Sequence, residues 1–174
     1  LFGVAAAWAV TKFEFRGKSG KAHRTGIRDR RLARIIKACQ ELPGQHLFEY
    51  IDDDGALRTV ESADVNDYLR EAMGEEFSAK DFRTWAGTLA CARALIEVGP
   101  GETEAESKRI VAACVKQVAS QLGNTPTVCR KCYVHPGVFD RYAEGALAQE
   151  LKLGGRADPE RALLRFLDRM DAAA

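Results

Sequence analysis

The chain reads as a strand region followed by a series of helices. Residues 12–16, Lys-Phe-Glu-Phe-Arg, alternate apolar and polar positions with the period of a β-strand. Gly17 and Gly20 frame a turn, and residues 22–27 return as the second strand of a hairpin. The spacing then becomes helical. Asp29 is placed to cap a helix with the apolar stripe Leu32, Ile35, Ile36 and Cys39, which ends before Pro43-Gly44. Residues 47–51 and 57–60 flank Asp52-Asp53-Asp54-Gly55 as a second short hairpin. Ser62 is expected to cap a helix that runs to Met73 and closes at Gly74. Ser78 with Asp81 has the spacing of a capping box. It opens a long helix over 79–98, with Phe82, Ala86 and Leu89 on one face and Arg83 directed elsewhere.

Gly99-Pro100-Gly101 breaks the chain before a helix over 103–122 with the stripe Ile110, Val111, Cys114, Val118 and Leu122, terminated by Gly123. A short helix starts at Thr125-Pro126. It stops just after Tyr133, because Pro136 disfavours helical dihedrals at His135. Two helices remain, over 136–151 and over 159–170, the second capped by Asp158. The expected fold is mainly α (α+β), with small β-hairpins. One domain is expected over 1–153, with a helix in 154–174 appended through Gly154-Gly155.

Length and composition narrow the class. A chain of 174 residues can bury one good core. At 46% hydrophobic and 29% charged it has the balance of a soluble globular protein. No apolar run reaches membrane-spanning length, and residues 1–10 lack the charged flank and cleavage site of a signal peptide. Five cysteines, an odd number, fit free thiols in a reducing compartment better than a disulfide framework. A cytoplasmic protein is therefore expected. A net charge of +1 does not by itself announce nucleic-acid binding, but the cations are unevenly placed.

The first hairpin's tip carries Arg16, Lys18, Lys21, His23 and Arg24, and the basic run continues through Arg28, Arg30, Arg31 and Arg34. Such a tip is shaped to enter a groove of DNA; a solvated Gly-Lys turn is the competing reading. Farther on, Arg130 and Lys131 directly precede Tyr133. A phenol, with an ordinary pKa of about 10, is a poor nucleophile at neutral pH without nearby cations. Lys18, Arg83, Asn124 and Tyr133 together suit attack on a phosphodiester. A guanidinium neutralises nonbridging oxygens, and an ammonium can protonate a departing alkoxide. Other chemistries fit less well. Cys129-x-x-Cys132-x-x-His135 lacks the second ligand pair of a zinc site. The three aspartates lack the alternating spacing of an EF-hand. There is no Walker or Rossmann motif.

Several segments, in order, carry a family resemblance. They are Phe15-Arg16-Gly17-Lys18-Ser19-Gly20-Lys21, Asp29-Arg30-Arg31-Leu32-Ala33-Arg34, Leu42-Pro43-Gly44-Gln45, Asp64-Val65-Asn66, Lys80-Asp81-Phe82-Arg83-Thr84-Trp85, and Leu122-Gly123-Asn124-Thr125-Pro126 followed by Tyr133. From about residue 13 to 142 the chain resembles the catalytic domain of type IB DNA topoisomerases, bacterial branch. The resemblance implies Tyr133 as the nucleophile that forms a 3′-phosphotyrosyl link. It implies Arg83 as the arginine that stabilises the transition state, Lys18 as the general acid, and Asn124 as a hydrogen-bond donor to a nonbridging oxygen. It also implies duplex DNA as the partner, no metal, no ATP and no other cofactor, and a monomer associated with the nucleoid. Arg16, Lys21, His23, Arg24, Lys80, Arg130 and Lys131 form the expected DNA-binding set. The family's first catalytic arginine and its clamp-closing domain are expected upstream of Leu1, which makes a truncated chain the expectation. The alternatives are a DNA-binding fragment that cleaves poorly and a tyrosine recombinase of the same fold.

Overall fold

A computed structural model describes residues 3–7, 10–17, 20, 22–153 and 158–172. The chain forms two compact units, Leu1–Glu75 and Glu76–Ala174.

In the first unit, strands β1 (Gly3–Ala7), β2 (Val10–Arg16) and β3 (Ala22–Arg28) form an antiparallel sheet in the order β1-β2-β3. The expected hairpin is β2–β3, and its register places Glu14 opposite Arg24 and Phe15 opposite His23. Strand β1 was not foreseen, because Ala5-Ala6-Ala7 lacks alternation. It pairs with β2 from Gly3↔Glu14 to Ala7↔Val10. Helix α1 (Arg30–Gln40) packs on this sheet, and Asp29 caps it by accepting from the Arg31 and Leu32 amides at 2.7 and 2.9 Å. Its contact face is narrower than the predicted stripe. Ala33 and Ile36 are buried, whereas Leu32 and Ile35 are exposed. One alanine and one isoleucine three residues apart form the buried seat of this helix.

Strands β4 (Glu49–Ile51) and β5 (Leu57–Thr59) form the second hairpin. Asp52 organises its turn by accepting from the Asp54 and Ala56 amides and from Arg58, which lowers its carboxyl below the ordinary value, Arg58 first. Gly55 supplies the positive φ of 79°. Helix α2 (Ser62–Met73) starts one residue earlier than predicted. Glu61 is the N-cap and shares a capping box with Asp64, so Ser62 is the first helical residue.

The second unit is helical. Helices α3 (Ala79–Val98) and α4 (Glu104–Leu122) pack together, α5 (Pro126–Cys132) packs on α4, and α6 (Pro136–Ala143), α7 (Leu147–Glu150) and α8 (Pro159–Asp171) complete the core. Ser78–Asp81 forms the predicted capping box of α3, and Thr103 caps α4. The α4 stripe is as predicted at Val111, Cys114 and Val118, joined by Val115 and Ala119. The α3 stripe is as predicted only at Leu89. Phe82 and Ala86 are exposed, and the buried line is Thr88, Leu89, Cys91, Ala92 and Leu95. The first turns of α3 reach beyond the apolar core, and its polar and glycine positions there hold another segment of chain. The single helix predicted over 136–151 is two, because Gly145 adopts a left-handed φ of 72° and ends α6. Helix α8 seats Leu163 and Phe166 in the core with no exposed area. Burying an aliphatic or aromatic side chain of this kind stabilises by roughly 1.5–3 kcal/mol. The Gly154-Gly155 link lies outside the described residues.

Candidate active site

Tyr133 sits between α5 and α6. It is the C-cap of α5, its amide donates to the Cys129 carbonyl, and its φ and ψ of −130° and 7° leave the helical region. His135 is extended, as a residue before proline should be, and caps α6 by accepting from the Gly137 amide through Nδ1. The turn 132–135 is thereby short and fixed at both ends.

One face of α3 holds this turn. Thr84 Oγ1 shares its one proton between the Lys80 carbonyl of its own helix at 3.1 Å and the Cys132 carbonyl at 3.3 Å. The His135 amide donates to Thr88 Oγ1 at 3.1 Å, while that hydroxyl donates to the Thr84 carbonyl at 2.7 Å. Between the two threonines, Gly87 lets the chain pass so closely that a β-carbon there would lie 2.3 Å from the Tyr133 carbonyl oxygen. The missed signal is a Thr-x-x-Gly-Thr line at helical spacing where an apolar face was expected. Small and hydroxylated positions on an inward helix face mark a close backbone approach.

Arg83 lies one turn back on the same helix. Its guanidinium carbon stands 5.0 Å from the centroid of the Tyr133 ring, a cation–π contact. Its Nη2 donates to the Leu122 carbonyl at 2.7 Å. Asn124 reaches the same oxygen. Helix α4 ends at Gly123 with a φ of 68°, the Asn124 amide turns back to the Ala119 carbonyl at 2.8 Å, and Asn124 Nδ2 donates to Leu122 O at 3.3 Å. Arg83 and Asn124 thus sit side by side on one acceptor. A guanidinium has five N–H donors and an amide two, so each retains donors beyond this bond. Three predicted residues, Tyr133, Arg83 and Asn124, are brought together from α5, α3 and the α4–α5 turn.

The remaining candidates are distributed as follows. Lys80 and Lys131 are exposed, and Arg130 places its guanidinium 4.4 Å from the Phe139 ring. In the first unit, Arg16 is exposed near the end of β2. His23 stacks on Phe15 with centroids 5.2 Å apart, and Arg24 pairs with Glu14 at 3.1 Å. Lys18 and Lys21 lie outside the described residues. Among the described residues no group of three or more His, Cys, Asp or Glu is arranged to hold a metal. All five cysteines are free; Cys129 is buried and Cys132 exposed, so the thiols of that motif face different surroundings. Among the described residues no helix is long and apolar enough to cross a membrane.

Residues 5–153 match the family described as eukaryotic DNA topoisomerase I, catalytic core. The chain is also similar to a protein named DNA topoisomerase 1B from Acanthamoeba polyphaga mimivirus. The two are 37% identical over 140 residues, covering 76% of this chain and 42% of the relative. The chain therefore spans less than half the length of the curated relative it matches. The family match covers most of the chain: the protein belongs to the type IB DNA topoisomerase catalytic-core family.

Proposed function

We propose that this chain is the catalytic domain of an enzyme that relaxes supercoiled DNA by breaking and rejoining one strand. The Tyr133 phenolic oxygen attacks the scissile phosphorus. The bond from phosphorus to the 5′-oxygen breaks, leaving a 3′-phosphotyrosyl link and a free 5′-hydroxyl. Arg83 and Asn124 donate to the nonbridging oxygens as charge builds on them, and Lys18 gives its proton to the departing 5′-oxygen. Rejoining is the reverse. One phosphodiester is exchanged for another, so the bond's free energy is kept while the nicked strand rotates, and the scheme calls on neither ATP nor metal. Arg16, Lys21, His23, Arg24, Lys80, Arg130 and Lys131 contact the duplex. The domain is assigned to 1–153 with the helix of 154–174 appended, acting as a monomer at the nucleoid in the cytoplasm.

The observation that carries this reading is the shared acceptor. Two donors of the kind that bind phosphate oxygens meet at Leu122 O beside the one tyrosine held on a rigid turn. The test is a suicide substrate, a nicked duplex whose short 5′-hydroxyl fragment diffuses away. Denaturing gels should show protein on the 3′ end, mapped to Tyr133, and no adduct with Tyr133→Phe. An adduct that survives in that variant would overturn the assignment. Salt-sensitive binding without any adduct would leave a DNA-binding domain that does not cleave. Strand exchange between two DNA sites would instead mark a recombinase.

A further inference from the structure

Helix α8 sorts its side chains into three bands. At 3.6 residues per turn, Arg161, Arg165 and Arg169 fall within a band roughly 80° wide. The core stripe with Leu163 and Phe166 lies on one side of it, and Glu160, Leu164 and Asp168 form a third band that closes the circle, with Asp168 about 20° from Arg161. The arginines follow one another at every fourth position, and among the described residues only Arg161 has an acidic partner one turn away on this helix, Asp158.

The arginine band is not a convex surface. With Gln149, Glu150 and Lys152 it lines a groove of about 700 Å³, with four cations against two carboxylates. Both carboxylates are already engaged. Asp158 accepts from the Glu160 amide at 3.0 Å and lies 3.7 Å from Arg161, and Glu150 lies 3.5 Å from Arg141. Arg169 is steadied by donating to the Glu150 carbonyl at 2.8 Å. Arg165 has no hydrogen bond or ion pair among the described residues. The ladder's helix is also tied to the helix of Arg83, because Glu160 accepts a hydrogen bond from the Trp85 indole N–H.

We propose that Arg161, Arg165 and Arg169, with Lys152, are a second contact for the phosphate backbone of duplex DNA, separate from the residues around Tyr133. The inference rests on the duplex-DNA partner of the reading above and not on cleavage itself. Four residues of helix advance about 6 Å, so the ladder spans about 12 Å. One strand of B-DNA presents a phosphate every ~3.4 Å of axis, so the ladder faces about three phosphates in succession. Guanidinium suits this use, since its planar fork meets a phosphate with two donors.

The test compares the whole chain with the triple variants R161Q/R165Q/R169Q and R161K/R165K/R169K. Affinity for a long nicked duplex is measured over a salt series, and Tyr133 adduct formation is followed on the same DNA. The Gln triple should lower the salt exponent by about 2 to 3, at about 0.9 per phosphate contact, and the Lys triple should keep most of it. An unchanged exponent in the Gln triple, with wild-type adduct formation intact, overturns the ladder and leaves the cleavage reading standing. An equal loss in the Lys triple also overturns it, because the arginines would then be serving the fold and not a phosphate. A ladder-dependent exponent in a chain that forms no adduct supports the contact and removes the cleavage reading. No salt-dependent binding by the wild type overturns both.

Discussion

The carbonyl oxygen of Tyr133 passes so close to Gly87 that a side chain there would collide with it, at 2.3 Å from a β-carbon. The tyrosine is held through its backbone by a neighbouring helix as well as by its own. Thr84 and Thr88 fix the residues on either side of it, and Gly87 admits it. Gly87→Ala must push the turn outward or bend α3. Overpacking of this kind costs roughly 1–3 kcal/mol of stability. A displacement of about 1 Å at a nucleophile can cost about 100-fold in rate. Gly87→Ala is therefore expected to cut single-turnover adduct formation by about that factor while the protein remains folded and binds DNA with an unchanged salt exponent. Adduct formation at the wild-type rate would show that the close approach does not set the tyrosine's position.

The capping box of α3 makes a pH-dependent contribution to stability. Asp81 accepts from the Ser78 hydroxyl at 2.7 Å and the Ser78 amide at 2.9 Å, and these bonds, the hydroxyl first, hold its carboxyl below the ordinary value of 3.8. The folded pKa is depressed, so the stabilisation is present above 3.8 and is lost as pH falls through the lower folded value. Asp81→Ala is expected to destabilise by about 1 kcal/mol at pH 7. The gap to wild type in thermal unfolding should close below pH 3.8. A gap of constant size across that range would mean that the carboxylate is not what caps the helix.

The thiols divide sharply by burial. Cys91, Cys114 and Cys129 are buried, and Cys132 is exposed. Burial, followed by the neighbouring Cys114 and Cys129 thiols, pushes Cys91 up to about 12, and burial also raises Cys114 and Cys129. At pH 8 a chromogenic disulfide reagent is expected to modify Cys132 rapidly. Cys91, Cys114 and Cys129 should react only as fast as the protein opens, and all five should react in denaturant. Labelling of Cys91 at the rate of Cys132 would show that the second unit's core is open.

Much of this arrangement was legible in the chain because local rules dictated it. Asp29, Ser78 with Asp81, Thr125-Pro126 and Asp158 each opened a helix where their chemistry demands. The Xaa-Pro step at His135 predicts the end of α5 to within a residue, the helix closing at Cys132 with Tyr133 as its C-cap. What escaped depended on partners distant in sequence. The inward face of α3 is set by the 132–135 turn some fifty residues away, so the Thr-x-x-Gly-Thr line of Thr84, Gly87 and Thr88 signals a close approach without naming its partner. Strand β1 is a strand because β2 offers it a ladder, not because Ala5-Ala6-Ala7 favours one. Gly145 was a readable break that helical spacing on either side concealed. No spacing rule in the sequence ties Asn124 to Arg83, although both donate to Leu122 O.

That shared acceptor makes the two residues energetically coupled. Arg83 divides its donors between the Leu122 carbonyl and whatever occupies the site, and it also covers the Tyr133 ring. Lysine, with a single compact ammonium, cannot span these partners. Arg83→Lys is expected to slow cleavage by about 10²–10³-fold, the scale of losing one transition-state donor. Asn124→Ala, which removes a neutral donor, is expected to cost less. The double variant should fall short of the product of the two effects, since either change disturbs the geometry the other depends on. Residues in one hydrogen-bond network typically couple by about 0.5–3 kcal/mol. Single-turnover cleavage rates for the four proteins of this cycle measure the coupling directly. A strictly multiplicative result would mean that Arg83 and Asn124 act on the phosphate independently and that Leu122 O does not organise them as a pair.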